Sequence, residues 1–171
     1  MRSWILLEQK RKSTQKHMHK QDVDVVVLAL SYPIMLGVYK NNSLIDSIVT
    51  DEKSSEALPS LYEELERKYS IKNLFYANGP GSFMAIKVTY IFLKSISILK
   101  NIPLFATDAF YFNQNSPIKA VGKLYFVKIS QAIETKKFDE PVFSEFKLPQ
   151  FLNYDDFDTD TVPKYGIGAV G

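Results

Sequence analysis

Eight residues, Val23 to Leu30, hold a single polar side chain, Asp24, among apolar and mostly β-branched neighbours. Such a run does not alternate, so it predicts a strand buried on both faces, which needs a layer of structure on each side of its sheet. Ile34 to Tyr39 is a second apolar run after the turn Ser31-Tyr32-Pro33. Lys40-Asn41-Asn42-Ser43 predicts a hairpin connection, because Asn tolerates the positive φ such turns demand. Leu44 to Val49 then alternates as a half-exposed strand would. The fold opens on a three-stranded meander.

A helix follows, from about Glu56 to Tyr69, with Leu58, Leu61, Leu65 and Tyr69 on one stripe and Glu56, Glu63, Glu66 and Arg67 opposite. Pro59 fits only if it lies in the first turn. Asn73 to Ala77 predicts a fourth strand, and Asn78-Gly79-Pro80-Gly81 a sharp turn. Ser82 should then cap a long helix that ends near Asn101-Ile102-Pro103. Leu104 to Ala106 gives a fifth strand, and Thr107-Asp108 caps a short helix through Phe112. This order, β-β-β-α-β-α-β, is that of neither a doubly wound dinucleotide fold nor a sandwich. By fold-level analogy it matches the half-domain repeated in the actin, sugar-kinase and Hsp70 superfamily, a ribonuclease H-like α/β architecture also called ASKHA.

Beyond Asn113 the pattern weakens. Ala120 to Ile129 and Val142 to Phe146 predict strands, with a hairpin around Lys136-Lys137, and Asn153 to Thr161 an acidic loop. Tyr165 to Val170 predicts a last strand. The expected organisation is a basic tail (1–21), a main domain (22–113) and a reduced second subdomain (114–171).

Charge is unevenly placed. Residues 1–20 carry six Lys/Arg and one acid, whereas the rest carries 15 Lys/Arg against 18 acids. The tail has no apolar period, so it predicts a disordered and dispensable leader, or a start site truly at Met18, in preference to an RNA-binding arm. The apolar share of 46% suffices for a core. The most apolar stretch, Val88 to Leu99, is interrupted by Lys94 and falls short of the ~20 residues that span a bilayer. The expectation is a cytoplasmic protein that does not enter membranes.

The side chains that chemistry needs are scarce. There is no Cys, and the two His residues, His17 and His19, both sit in the tail, so the body cannot assemble a Ser-His-Asp or Cys-His centre. The run Asp156 to Asp160 begins like a calcium loop but has Thr161 where Gly and Ile167 where Glu would stand. The one sharp feature is the turn Gly79-Pro80-Gly81-Ser82 between a strand and a helix. Its free N–H groups could hold an anion, or the glycines could serve only the tight turn. It has no Lys to make it a Walker loop.

At this turn the chain resembles a known family. Gly79-Pro80-Gly81-Ser82-Phe83-Met84-Ala85-Ile86-Lys87 resembles the Gly-Pro-Gly-Ser-Phe-Thr-Gly-Leu-Arg signature of the TsaB (YeaZ) family of bacterial tRNA threonylcarbamoyladenosine biosynthesis. The likeness extends from about Val23 to Phe112 and includes Leu58-Pro59 and Asn101-Ile102-Pro103-Leu104. It implies a scaffold without activity of its own, the older peptidase-like label being inherited from a catalytic paralogue. The implied partner is that paralogue, TsaD. With the ATPase TsaE, the pair moves a threonylcarbamoyl group onto the adenosine beside the anticodon of tRNAs reading ANN codons. No cofactor is implied for this chain; ATP or metal would belong to the partner subunits, and a homodimer when alone is left open. The chain departs from the family at Ala29-Leu30-Ser31, where Asp-Thr-Ser is usual, and at Met84 and Ala85. Loss of the acid argues against the alternative reading, a degenerate sugar-kinase-like ATPase.

Projected at about 100° per residue, the long helix shows two apolar faces. The broad one, with Met84, Val88, Ile91, Phe92, Ile96 and Leu99, is expected to pack on the sheet. The narrow one aligns Ile86, Tyr90, Leu93 and Ser97, beside Lys87 and Lys94, and is expected to meet the partner together with Tyr62 and Tyr69. The resemblance favours this, since TsaB and TsaD pair through the two helices of the half-domain.

Overall fold

A computed structural model describes residues 19–166. Most of the basic tail, with His17, and most of the expected last strand lie outside them. Strands β1 (Gln21–Leu28), β2 (Ile34–Lys40) and β3 (Ser43–Thr50) form the meander, followed by helix α1 (Ser54–Lys68), strand β4 (Tyr69–Ala77), helix α2 (Phe83–Lys100) and strand β5 (Leu104–Thr107). The β-β-β-α-β-α-β order therefore stands. The five strands make one sheet in the order β3-β2-β1-β4-β5, with β1–β2 and β2–β3 antiparallel and β1–β4 and β4–β5 parallel.

β1 lies at the centre, and its side chains divide by parity. Val23, Val25, Val27 and Ala29 enter the core under the two helices, while Val26, Leu28 and Leu30 enter a second core on the opposite face. The nearly continuous apolar run is the consequence of these two covered faces. At the β2–β3 hairpin, Asn41 and Asn42 both take positive φ, 49° and 66°, as a two-residue turn of this twist requires. Pro59 lies beyond the first turn of α1, not within it. The hydrogen bond it removes would have gone to Ser55, which is exposed, so water can take the partner's place.

The second face of the sheet is covered by the C-terminal part. A short 3-10 helix, Ala109–Phe112, is capped by Asp108, whose side chain accepts from the Phe110 N–H. Strands β6 (Ile118–Lys119), β7 (Leu124–Ile129) and β8 (Ala132–Lys137) form a small antiparallel sheet. Here the sequence expectation is corrected. The hairpin turns at Ser130-Gln131, not around Lys136-Lys137, with Ser130 at φ 57° and Ile129 paired to Ala132. The predicted strand over 120–129 is shortened to β7, because residues 120–123 form a turn in which Gly122 has φ +57°. Val142 to Phe146 forms no strand; Phe146 packs into the second core without a ladder partner.

Residues 150–164 then run back across the first sheet as a strap. Leu44 N–H donates to Gln150 O and Leu152 N–H to Asn42 O at the β3 end. Tyr154 stacks on Phe75 at mid-sheet and donates its hydroxyl to the buried Asp24 carboxylate, which also accepts from Asn73 Nδ2 at 2.7 Å. Asp158 pairs antiparallel with Ala106 on the outer edge of β5. What reads in sequence as a solvated acidic loop is thus pinned to the sheet by Leu152, Tyr154 and Phe157. The second core joins residues of both parts, Val26 and Phe75 with Ile118, Phe126 and Leu152.

Candidate functional site

The Gly-Pro-Gly-Ser turn sits where β1, β4 and β5 all end. Its neighbours occupy it closely. Ser82 N–H donates to Leu30 O (2.8 Å), Ala109 N–H to Gly79 O (2.7 Å) and Lys164 N–H to Asn78 O (2.7 Å). Gly79 has φ +121°, and a Cβ there would lie 1.9 Å from the Lys164 carbonyl oxygen; a Cβ on Gly81 would lie 2.9 Å from Leu30 O. Both positions admit only glycine because backbone passes against backbone. Ser82 is the N-cap of α2 by position, but its side chain makes no capping bond. Of the two readings of the turn, the tight junction is favoured over the anion cradle, since the Ser82 N–H is engaged within the chain and the strap lies across Gly79.

Beside the turn, Asn78 is 1% exposed. Its Nδ2 donates to Val162 O at 3.2 Å, and its Oδ1 has no partner. Just past the end of β1, Ala29 is buried in the helix-side core, so a methyl group stands among apolar neighbours where the sequence resemblance would place an acid. His19 is exposed, and among the described residues no three His, Cys, Asp or Glu side chains converge to hold a metal ion.

Helix α2 carries the main correction. Ile86 is 0% and Leu93 1% exposed, Ile86 packing in the core beneath the turn and Leu93 in the core shared with α1. Tyr90 is half-buried and stacks on Tyr76 with ring centroids 6.3 Å apart. Ser97 is half-buried and donates its hydroxyl to Ile102 O at 2.6 Å. The narrow face chosen for the partner is therefore the face that packs at home. Tyr62 is buried between the helices, edge-on to Phe92 at 6.0 Å, and Tyr69 donates to Asp46 Oδ2 at 3.3 Å across the sheet. Burial, with Glu66 nearby, pushes the Tyr62 phenol up to about 12. Only Lys87 and Lys94 of the expected interface are exposed.

The broad face is divided. Phe92 and Ile96 pack against the helix-side core, while Met84 (64%), Ile91 (54%) and Leu99 (80%) stand in solvent, and so does Ile98 (70%), which the sequence reading assigned to neither face. Met84, Ile91 and Ile98 are seven residues apart and so share one line along the helix, with Lys87 and Lys94 beside it. The physical reason lies in what α2 covers. It packs on β4, on the four-residue β5 and against α1, so the sheet offers room for one side of the helix only. Sequence periodicity identified two apolar faces but held no information on which the short β5 would leave bare.

No protein-family model matches the chain, and no curated protein matches it. Among solved structures it is similar to YeaZ from Pseudomonas aeruginosa, with a TM-score of 0.55 and 9% identity over 69% of this chain and 65% of that chain. It is also similar to an uncharacterized protein with similarity to the peptidase YeaZ from Pseudomonas aeruginosa, with a TM-score of 0.49, 10% identity and the same coverage. The likeness to YeaZ shows a shared mixed α/β fold. The match spans 65% of the length of that chain.

Proposed function

We propose that the chain is a non-catalytic scaffold subunit of the TsaB kind, an actin-like half-domain that heterodimerises with the catalytic paralogue TsaD in threonylcarbamoylation of tRNA. The observation that carries the reading is the bare line Met84, Ile91 and Ile98 with Leu99 on α2. An apolar helix face with lysines alongside has the make-up of an interface core and its polar rim. The signature at Gly79-Pro80-Gly81-Ser82-Phe83 and the fold shared with YeaZ support the family. In this reading the turn is a structural junction that fixes the start of α2, and so aims the line of apolar side chains. ATP, metal and the transfer chemistry belong to TsaD and TsaE, tRNA is met through the assembled complex, and the work is done in the cytoplasm.

The test is reconstitution. TsaD with its companions should modify tRNA when this chain is present and fail when it is omitted, while the pure chain alone turns over neither ATP nor peptide. Modification at the full rate without this chain would reject the scaffold reading.

A further inference from the structure

The apolar line on α2 has a one-sided charge pattern that the scaffold reading leaves unused. Half-buried Val88 and exposed Ser95 join Met84, Ile91 and Ile98 along the helix. The Ser95 hydroxyl donates back to Ile91 O at 2.7 Å, so it presents no free donor to the surface. Lys87 and Lys94 each stand three residues beyond a member of the line, about 60° round the helix from it, and so edge it on one side only. They are seven residues apart, about 10 Å along the axis. Both are exposed, and among the described residues neither enters an ion pair, whereas Lys100 at the end of the helix is already held by Glu66 of α1.

This pattern decides among the possible occupants. Helix α2 has no Asp or Glu along its length, so a second copy of the same face offers the two lysines no carboxylate. Antiparallel pairing of two copies about a two-fold axis at Ile91 is worse. Lys87 lies four residues before Ile91 and Lys94 three after it, so each Lys87 would stand beside the Lys94 of the other copy, twice in the dimer. Like charges facing one another across an interface act against that pairing. A helix lying in a lipid surface would carry its cations along the whole polar face, not on one edge of the apolar stripe.

We infer that this face accepts a partner helix whose apolar stripe is edged on one side by two carboxylates seven residues apart, and that Lys87 and Lys94 select it. The inference rests on the reading of α2 as the partner-binding side and names the chemistry of what binds there. The apolar line supplies contact area. The charge pairs at its rim require the carboxylate flank of the partner helix to lie on the lysine side, which allows one of its two directions.

Fluorescence anisotropy of the full chain with two labelled, designed helical peptides tests this. The peptides share one leucine stripe and differ only at two flanking positions seven residues apart, Glu in one and Lys in the other. At low salt the Glu peptide should bind saturably and at least tenfold tighter than the Lys peptide. In the double variant Lys87→Glu, Lys94→Glu the order should reverse, and Ile91→Asp should weaken both peptides at least tenfold. All three side chains are exposed, so the melts should stay at the parent value. Lys137→Glu, at an exposed lysine on β8, should bind as the parent does. The inference is overturned by equal binding of the two peptides, by binding of neither, or by an order that survives the charge reversal or is equally lost in Lys137→Glu. A parent dimer in sedimentation equilibrium that Ile91→Asp dissociates, or binding to phosphatidylglycerol vesicles that needs Lys87 and Lys94, overturns it as well. The peptides contain no TsaD sequence. A chain that sorts them but does not bind TsaD therefore refutes only the choice of partner, while TsaD binding that ignores the charge reversal refutes only the selection by charge.

Discussion

Leu93→Ala and Ile91→Ala, two residues apart on α2, should separate folding from partner binding. Leu93 is 1% exposed in the core shared with α1, whereas Ile91 is 54% exposed. Truncating Leu93 removes three buried carbons, at ~0.8 kcal/mol each, or about 2.4 kcal/mol before any cavity term. With the remaining cavity, the loss should be about 3 kcal/mol. For a urea slope of about 2 kcal/mol/M, the midpoint should fall by about 1.5 M. Ile91→Ala touches a side chain already half in water and should change stability by no more than about 0.5 kcal/mol. Urea denaturation followed by circular dichroism at 222 nm reads both. If Ile91→Ala costs more stability than Leu93→Ala, the assignment of the two helix faces is wrong.

Two further outcomes follow from particular contacts. Gly79→Ala puts a Cβ 1.9 Å from the Lys164 carbonyl oxygen at φ +121°, so it should lower the thermal midpoint by an amount equivalent to more than about 1 kcal/mol; an unchanged melt would mean that the strap does not lie on the turn. Burial holds the Tyr62 phenol neutral up to about 12, above its usual 10.0. The unfolded chain ionises first, so this contribution is intact below pH 10.0 and lost as pH rises through about 12. Because its hydroxyl has no partner, Tyr62→Phe should be neutral or stabilising at pH 7 and should flatten the alkaline fall; an equally steep fall in the variant would refute the assignment.

The first half of the fold was legible because its signals are local. The Val23 to Leu30 run, the Asn41-Asn42 turn and the Gly-rich junction each state their own geometry within a few residues. Asn101 likewise ends α2 in the left-handed region, at φ 53°. The strap was illegible for the opposite reason. Leu152, Tyr154 and Phe157 are anchors without a period, and their partners, Asn42, Asp24 and Phe75, lie more than 75 residues earlier in the chain. Phe146 likewise reads as a strand residue although it packs as a lone plug. Ile86 and Leu93 were misassigned because a helix that is apolar on two sides reveals its period but not its neighbour. The unpartnered Oδ1 of Asn78 gives no sequence signal, since only the crossing of three segments buries it.

The central claim is pairing through the bare side of α2. It is tested most directly by calorimetric titration of this chain into the TsaD protein proposed as its partner, with wild type and with Ile91→Asp, Ile98→Asp. Two charges placed in the middle of a desolvated apolar line should cost well over tenfold in affinity, while the variant's melt stays at the parent value. The account predicts saturable binding by wild type and its loss in the variant. Undiminished binding by the variant, or no binding by the wild-type chain, would contradict it.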